Sequence, residues 1–579
     1  MQQLSAALLT LVAVSSACLG AGGLVHRNGS WAARLAAGAI VLYLATASLG
    51  WLRLLSPVAL WIVLCAAALP AVISPRRLLP DSPWTALAAL LLLLPLAAMP
   101  QSARDSMNHH LYLPRLWLEA GMIQRPGWTG FFSYPYLTEC LYALAGGTLG
   151  FRGSGMISLL GYVALTDALA SAPSVDRRTG LIAAVIVLTI PEAFRNATWA
   201  YADSFMALFS ALAFTEVAGP RRSLPRAALW AAAAACCKYN GFLVAAVVMA
   251  AVMVEGLREP RRLAAPVAVF AAMTLTWALP NAIQWGNPVH PLAGGLFGTG
   301  SGLSDRASTL LAEYSAYTAS VRTPLDLAAL PVTTAVAGRW DDPRLFDGAA
   351  GPLILAGTAA MALFGRGRRK LLLIPCAVLV LTVVEGLPAV RVRYLLGGLA
   401  MLALPAAQGL ASLAARGRAA MLGTFALTAL CAGWSGSWLV RLYAVERPWE
   451  ALAPDFLERR LPYMSFYEEA GGTVGPADTT LFVNMGNRAF YFPSYVIYDE
   501  TRFPLELLER IWAGMDADSI AADLRRSGIR YLAMDMSVTQ VNVTEALDGA
   551  ELGVWTDFAA RKLVPLVSCG DYLLLELED

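Results

Sequence analysis

Two acids, one lysine and a pair of arginines are the residues whose types and settings suit chemistry in this 579-residue chain. Asp105 opens the run Asp105-Ser106-Met107-Asn108-His109-His110 directly after an apolar segment, which sets its carboxylate at a membrane–water boundary. Asp203, in Tyr201-Ala202-Asp203-Ser204, stands at the head of another apolar segment. Two carboxylates brought together from separate loops are the minimum kit for a general base with a metal or acceptor ligand. Plainer roles stay open: Asp105 as a solvated loop acid or cap, and Asp203 as the N-cap of the helix it begins.

Of the 43 basic residues only Lys238, Lys370 and Lys562 are lysine, and Lys238 alone lies in apolar surroundings, Cys236-Cys237-Lys238-Tyr239-Asn240-Gly241. An ammonium at such depth is costly, so it either binds an anion or snorkels to the interface. On the outer side of a bilayer the anion at hand is a lipid phosphate. Arg391-Val392-Arg393-Tyr394, between two apolar segments, is a second cationic site. Guanidinium pairs bidentately with phosphate, and the structural alternative is a salt bridge to Glu385 or to the acidic C-terminal segment.

The chain has no P-loop, GxGxxG site, HExxH pair or nucleophile elbow, which argues against ATP-driven pumping, a bound dinucleotide or a secreted-type hydrolase. Its four histidines, His26, His109, His110 and His290, are too scattered to mark a metal site. The eight cysteines lie mostly in apolar runs, with neither zinc spacing nor a disulfide framework. No internal repeat is visible, which weakens a secondary-transporter reading.

The elements that must position these groups follow from composition. With 57% apolar and 15% charged residues and a mean hydropathy of +0.56, an ordinary soluble enzyme is excluded. Charge is uneven: residues 1–440 carry 31 Lys+Arg against 18 Asp+Glu, and residues 441–579 carry 12 against 23. A basic membrane body therefore precedes an acidic segment with the charge density of a water-soluble domain. Fourteen candidate spans lie near 5–25, 35–50, 56–74, 83–100, 155–172, 179–194, 203–219, 225–238, 241–257, 263–284, 347–365, 371–387, 394–413 and 419–440. The first is read as a span rather than a cleaved signal, since it lacks a basic leader and more spans follow at once.

Arginine usage orients them. Arg27/Arg34, Arg76/Arg77, Arg177/Arg178, Arg221/Arg222/Arg226, Arg258/Arg261/Arg262, Arg366/Arg368/Arg369/Lys370 and Arg416/Arg418 all fall on one side, holding 18 of the body's 31 basic residues. The alternation closes only if 134–150 does not cross; Glu139 and a Gly146-Gly147 break favour an interfacial or re-entrant helix there. Both termini, the acidic domain and the long loops 101–154 and 285–346 are then extracytoplasmic, and so are all five chemistry-bearing residues. Residues 113–121 read as a helix on the membrane surface, ending at Gly121. In the acidic segment, apolar runs 480–483, 495–498, 531–534 and 572–575 suit strands, and 504–514 and 518–526 suit helices. Gly486-Asn487-Arg488 reads as a turn, with Arg488 as an optional ligand-binding group.

With these residues placed, the chain resembles the polytopic glycosyltransferases of the GT-C superfamily, in particular bacterial relatives of the protein mannosyltransferases and aminoarabinose transferases. The resemblance rests on six motifs in order: Asp105 to Gly121, Ser133 to Glu139, Tyr201 to Ser204, Cys237 to Gly241, Gly286-Asn287-Pro288-Val289-His290-Pro291, and Arg391 to Tyr394. His109 and His290 stand where that group has tyrosine. The implied architecture is mainly α, a transmembrane helical bundle of about 14 spans, with residues 1–82 as added helices and 83–440 as the catalytic module; residues 441–579, which carry no motif of the group, read from their strand and helix pattern as a small α/β domain that docks acceptor or covers the cavity.

The implied function is transfer of a sugar from a polyprenyl-phosphate donor to a glycan, lipid or protein acceptor at the outer face of a bacterial cytoplasmic membrane, with inversion. The resemblance makes Asp105 the base, Asp203 a secondary acceptor or metal contact, and Lys238, Arg391 and Arg393 the donor-phosphate ligands; His109, His110, Tyr239, Asn287 and His290 are further site candidates. It requires no cofactor, although a divalent metal beside the acids is compatible, and it implies membrane lipids but no nucleic acid as partners. Rival readings are a lipid-linked sugar flippase or transporter, which would string its charges along a central path, and a polysaccharide polymerase or ligase.

Overall fold

A computed structural model describes residues 2–73, 78–126, 128, 130–219, 222–257, 259–299, 304–365, 367–486, 488–499, 501 and 503–578. Arg76, Arg77, Arg221, Arg258, Arg366 and Asn487 lie outside the described residues. Thirteen of the fourteen expected spans coincide with a single helix, from Gln2–Val25 to Arg418–Glu446, and the remaining one, 179–194, with a bent pair. Among the described residues, seven helical stretches are long and apolar enough to cross a bilayer by length and composition, and a bent pair makes an eighth if counted as one span. The other apolar helices are shorter, as a bundle allows when neighbours cover their ends. The chain is a multi-pass helical membrane protein with a small C-terminal sheet.

The bent pair corrects the expected span 179–194. The helix Arg177–Leu188 stops before Pro191, which disfavours helical geometry in the residue preceding it. The chain then turns by 76° into the helix Pro191–Thr198. The whole of that second helix is buried against its neighbours, and the turn brings Glu192 to the Trp340 indole N–H (2.9 Å) and Arg195 to Asp341 (2.8 Å).

The segment 134–150 holds the buried helix Leu137–Leu149, and Gly146 and Gly147 continue it rather than break it. Their missing side chains leave room for the Phe151 ring and for the Leu60 and Leu118 methyls, which a Cβ would meet at 2.4 Å, or at 2.9 Å for Leu118. The first-loop helix, Tyr112–Ala120, ends on Gly121 in the left-handed conformation (φ 67°) as the sequence suggests. Its apolar side faces protein and not lipid, because Leu113, Leu116 and Trp117 are buried in the common core.

The C-terminal domain explains why. Its five strands, β1 (Thr479–Val483), β2 (Tyr495–Ile497), β3 (Tyr531–Asp535), β4 (Leu563–Cys569) and β5 (Tyr572–Leu577), form a sheet in the order β2-β1-β3-β5-β4. β1 runs parallel to β2 and β3, whereas β5 is antiparallel to β3 and β4. Side chains alternate across such a sheet, and both faces are used. Leu481, Val483, Leu532 and Met534 pack under helices that include Leu505–Trp512 and Ala517–Arg526. Phe482, Val496 and Ala533 point the other way, into the core shared with the membrane body. β4 was not expected because Pro565 interrupts its apolar pattern; it is an edge strand with a bulge there, the setting that tolerates proline.

The domain is fastened to the first loop by hydrogen bonds. The Tyr112 hydroxyl donates to the Val496 carbonyl (3.0 Å) and accepts from its N–H (2.6 Å), satisfying both main-chain groups on the open edge of β2. Arg115 donates to the carbonyls of Phe490 (2.8 Å) and Phe492 (2.5 Å). The Tyr498 hydroxyl donates to the Asn108 carbonyl, and Tyr491 to that of Gln101 (2.9 Å).

Candidate active site

Asp105 precedes a short π-helical turn, Ser106–His110, that leads into Tyr112–Ala120. One extra residue per turn shifts successive side chains around the axis, a distortion found often at functional sites. Gln101 pins the start of this segment by accepting the Ala200 N–H at 2.7 Å. The two loops carrying Asp105 and Asp203 are thereby tied together.

A cavity of about 260 Å³ opens here, lined by Asp105, His109, His110, Glu139, Lys238, Arg391 and Arg393, with Tyr134, Tyr314 and Tyr394 among its aromatic walls. Six of the ten residues singled out in the sequence thus face one space, although they come from segments almost 300 positions apart. Arg393 donates from Nη1 to Asp105 Oδ2. The Tyr394 ring lies beneath both the Arg393 guanidinium and the Lys238 ammonium, each 5.1 Å from its centroid. Arg391 pairs with Asp347 at 3.6 Å. The arginine partners are therefore Asp105 and Asp347, not Glu385 or the acidic domain.

Asp203 stands elsewhere than its cap reading placed it. It is the first residue of the helix Asp203–Ala218, makes no side-chain cap, and is wholly buried. Its two oxygens accept from Lys238 Nζ at 3.1 and 3.2 Å. Lys238 sits in extended conformation between the helices Leu224–Cys237 and Tyr239–Gly256. Its ammonium has Asp203 behind it and the cavity in front.

Tyr239, Asn287 and His290 do not line the cavity. Tyr239 donates to the carbonyls of Ser133 (3.3 Å) and His290. Asn287 holds a turn through the Leu292 carbonyl (2.8 Å) and the Val289 N–H (3.0 Å), and His290 stacks on Trp285 at 4.7 Å. This motif folds the start of the loop after Trp285 against the segment that carries Tyr134.

Glu139 is the principal cavity residue not singled out for chemistry from the sequence; its place in an apolar run was the available signal. Its Oε1 lies 2.5 Å from His110 Nδ1, and Thr138 donates to its other oxygen at 3.1 Å. Burial pushes the Glu139 carboxyl up to about 7. Burial, with the Lys238 cation beside it, pushes the His110 imidazole down. Both shifts favour neutral partners sharing one proton. His109 is likewise lowered by burial and by His110. Asp105 behaves oppositely: burial alone would raise it, but the Arg393 guanidinium holds its carboxyl well below the usual carboxylate range.

A buried acid whose folded value lies above its unfolded one contributes stability that is complete below pH ~4.3 and is lost as pH rises to about 7. Against the rise that the lowered His109 and His110 contribute as pH increases, Glu139→Gln is therefore expected to remove an opposing loss of stability between pH 5 and about 7.5, on the order of 2–3 kcal/mol. Melting curves of the two proteins in detergent check this; parallel pH profiles would contradict it. Among the described residues no three His, Cys, Asp or Glu side chains are grouped to hold a metal ion.

No family model matches the chain, and no curated protein sequence matches it. Solved structures do. ArnT from Cupriavidus metallidurans bound to undecaprenyl phosphate is 14% identical, with a TM-score of 0.50 over 85% of this chain and 97% of that one. The apo state of the same ArnT gives 14% and a TM-score of 0.49 over the same shares. The oligosaccharyltransferase AglB from Archaeoglobus fulgidus, in complex with an inhibitory peptide and a dolichol-phosphate, gives 11% and 0.42, covering 78% of this chain and 69% of that one. Matched along nearly the whole of the undecaprenyl-phosphate-bound ArnT structure, the chain shares the fold of that structure.

Proposed function

We propose that this protein transfers a sugar from a polyprenyl-phosphate donor to an acceptor hydroxyl, at the outer face of a bacterial cytoplasmic membrane and with inversion at the anomeric carbon. The observation that carries the reading is a single cavity bounded by one carboxylate, Asp105, and by the cations Lys238, Arg391 and Arg393. The undecaprenyl phosphate in the ArnT structure of the same fold supports a donor of this kind.

A single displacement breaks the bond from the anomeric carbon to the donor phosphate oxygen and forms one to the acceptor oxygen. The acceptor proton passes to Asp105, and the departing phosphate takes up negative charge. Lys238 and Arg393 are assigned to that charge, where they stabilise it in a site shielded from water. We assign neutralisation to these cations and not to a metal ion.

The Asp105–Arg393 pair adds a condition. Paired with Arg393, Asp105 is ionised but a poor base. A donor phosphate that draws the guanidinium to itself leaves Asp105 buried with less compensation, and its basicity rises where it is needed. Asp203 keeps Lys238 positioned and stays out of the reaction.

The test is chemical analysis of a deletion strain by mass spectrometry. Loss of one sugar from a surface glycan together with accumulation of a monosaccharide-phosphate lipid supports the transferase. Unchanged glycans and lipids would overturn it. Accumulation of the lipid-linked sugar confined to the cytoplasmic leaflet would favour the flippase.

A further inference from the structure

The cations assigned to the donor phosphate are each already held to an aspartate: Lys238 to Asp203 at 3.1 Å, Arg391 to Asp347 at 3.6 Å, and Arg393 to Asp105. These three pairs add no net charge. Glu139 is a further acid on the wall of the same cavity, and it is held differently, by the His110 imidazole at 2.5 Å and the Thr138 hydroxyl at 3.1 Å. The Glu139 and His110 side chains are each 5% exposed, so water screens them little. If Glu139 is ionised, a phosphate entering the cavity meets an uncompensated negative charge. If it is protonated, that repulsion is gone. Like charges in a site closed to water repel strongly, and the group that can take a proton does so. Burial already brings the Glu139 carboxyl up to about 7, where a modest push changes its state.

Resting on the donor-site reading above, we infer that the His110–Glu139 pair is a proton-carrying part of that site, and that entry of the donor phosphate is coupled to uptake of one proton by the pair. The proton comes from solvent, is held between Glu139 Oε1 and His110 Nδ1, and returns to solvent when the lipid phosphate leaves; no other bond changes. Glu139 thus acts through its charge on phosphate affinity and not as the base. The charged groups facing the pair are Asp105 from the π-helical turn, Asp203 from the second acidic loop, Lys238 from the helix junction and Arg393 from Val392–Ala414, all in ion pairs. His109, its ring 3.9 Å from that of His110, is lowered by burial and stays neutral from pH 6 to 8. Cys140, Tyr142, Tyr201 and Cys237, which also surround the pair, are uncharged below pH 8.

The experiment uses the full chain in phosphatidylcholine nanodiscs, with farnesyl methyl phosphate as the probe, a phosphodiester whose single charge does not change between pH 6 and 8. Calorimetric titration in two buffers of different protonation enthalpy counts the protons taken up on binding. The wild-type protein is expected to take up about half a proton or more at pH 7.5, and its affinity to fall by about five- to tenfold from pH 6 to 8. Glu139→Gln should bind the probe with no proton uptake and with an affinity that is flat over the same range. Wild-type binding without proton uptake overturns the inference, whether or not the variant folds. Equal uptake in Glu139→Gln overturns it as well, because another group then titrates. No binding by the wild-type chain at either pH is a different failure: it removes the donor-site reading, and this inference with it.

Discussion

Asp105→Asn is expected to lower sugar transfer by about 10²–10⁴-fold, the contribution of a positioned general base, while the protein still reaches the membrane. The substitution preserves shape and leaves an amide oxygen to accept from Arg393, so it removes basicity with little change in packing. Release of labelled sugar from a polyprenyl-phosphate donor, measured in proteoliposomes, is the readout. Donor affinity should hold or improve, because Arg393 is freed from its carboxylate and more available to phosphate. Full activity in this variant would remove Asp105 from the mechanism.

Lys238→Ala carries the second large effect, and it has two parts. The cavity loses the ammonium assigned to the donor phosphate, so the rate should need a much higher donor concentration to saturate. Asp203, wholly buried, also loses the cation that both its oxygens accept from. Breaking a buried pair by removing one partner costs about 3–5 kcal/mol, so the single variant should also melt early. The double variant Lys238→Ala/Asp203→Asn separates the two. Neutralising Asp203 should recover most of the stability and none of the donor affinity. A wild-type dependence on donor concentration in the double variant would count against Lys238 as a phosphate ligand.

The helices were legible because each apolar run must be satisfied along its own backbone inside a bilayer, which leaves little freedom in where it starts and stops. Pro191 was the exception; the apolar run continues through it while the chain bends by 76°. Asp105, Lys238, Arg391 and Arg393 were legible as candidates because each is a charge set where charge is expensive. Their pairing was not. Arg393 and Asp105 are 288 positions apart, and nothing local distinguishes a partner there from Glu385.

The plainer cap reading of Asp203 looked only to its own helix, whereas its partner Lys238 comes from another helix junction. Tyr239, Asn287 and His290 lie away from the cavity that Asp105 lines. Their motif belongs to the fold, since the turn after Trp285 must close through side-chain hydrogen bonds, and a motif does not say whether it binds ligand or backbone. Glu139 was read as a reason for its helix not to cross, and that reasoning hid its place in the cavity wall.

The fastening of the C-terminal domain bears on how the molecule comes apart. Its contacts land on Gln101, Asn108, Tyr112 and Arg115, a stretch that also carries Asp105, His109 and His110. A water-exposed domain and a lipid-embedded bundle would ordinarily melt independently, each against its own solvent. Here the sheet cannot detach without stripping its cover from the stretch that holds the base. Inactivation and release of the domain should therefore coincide in one cooperative step, and damage to the far surface of the sheet should register first as lost turnover.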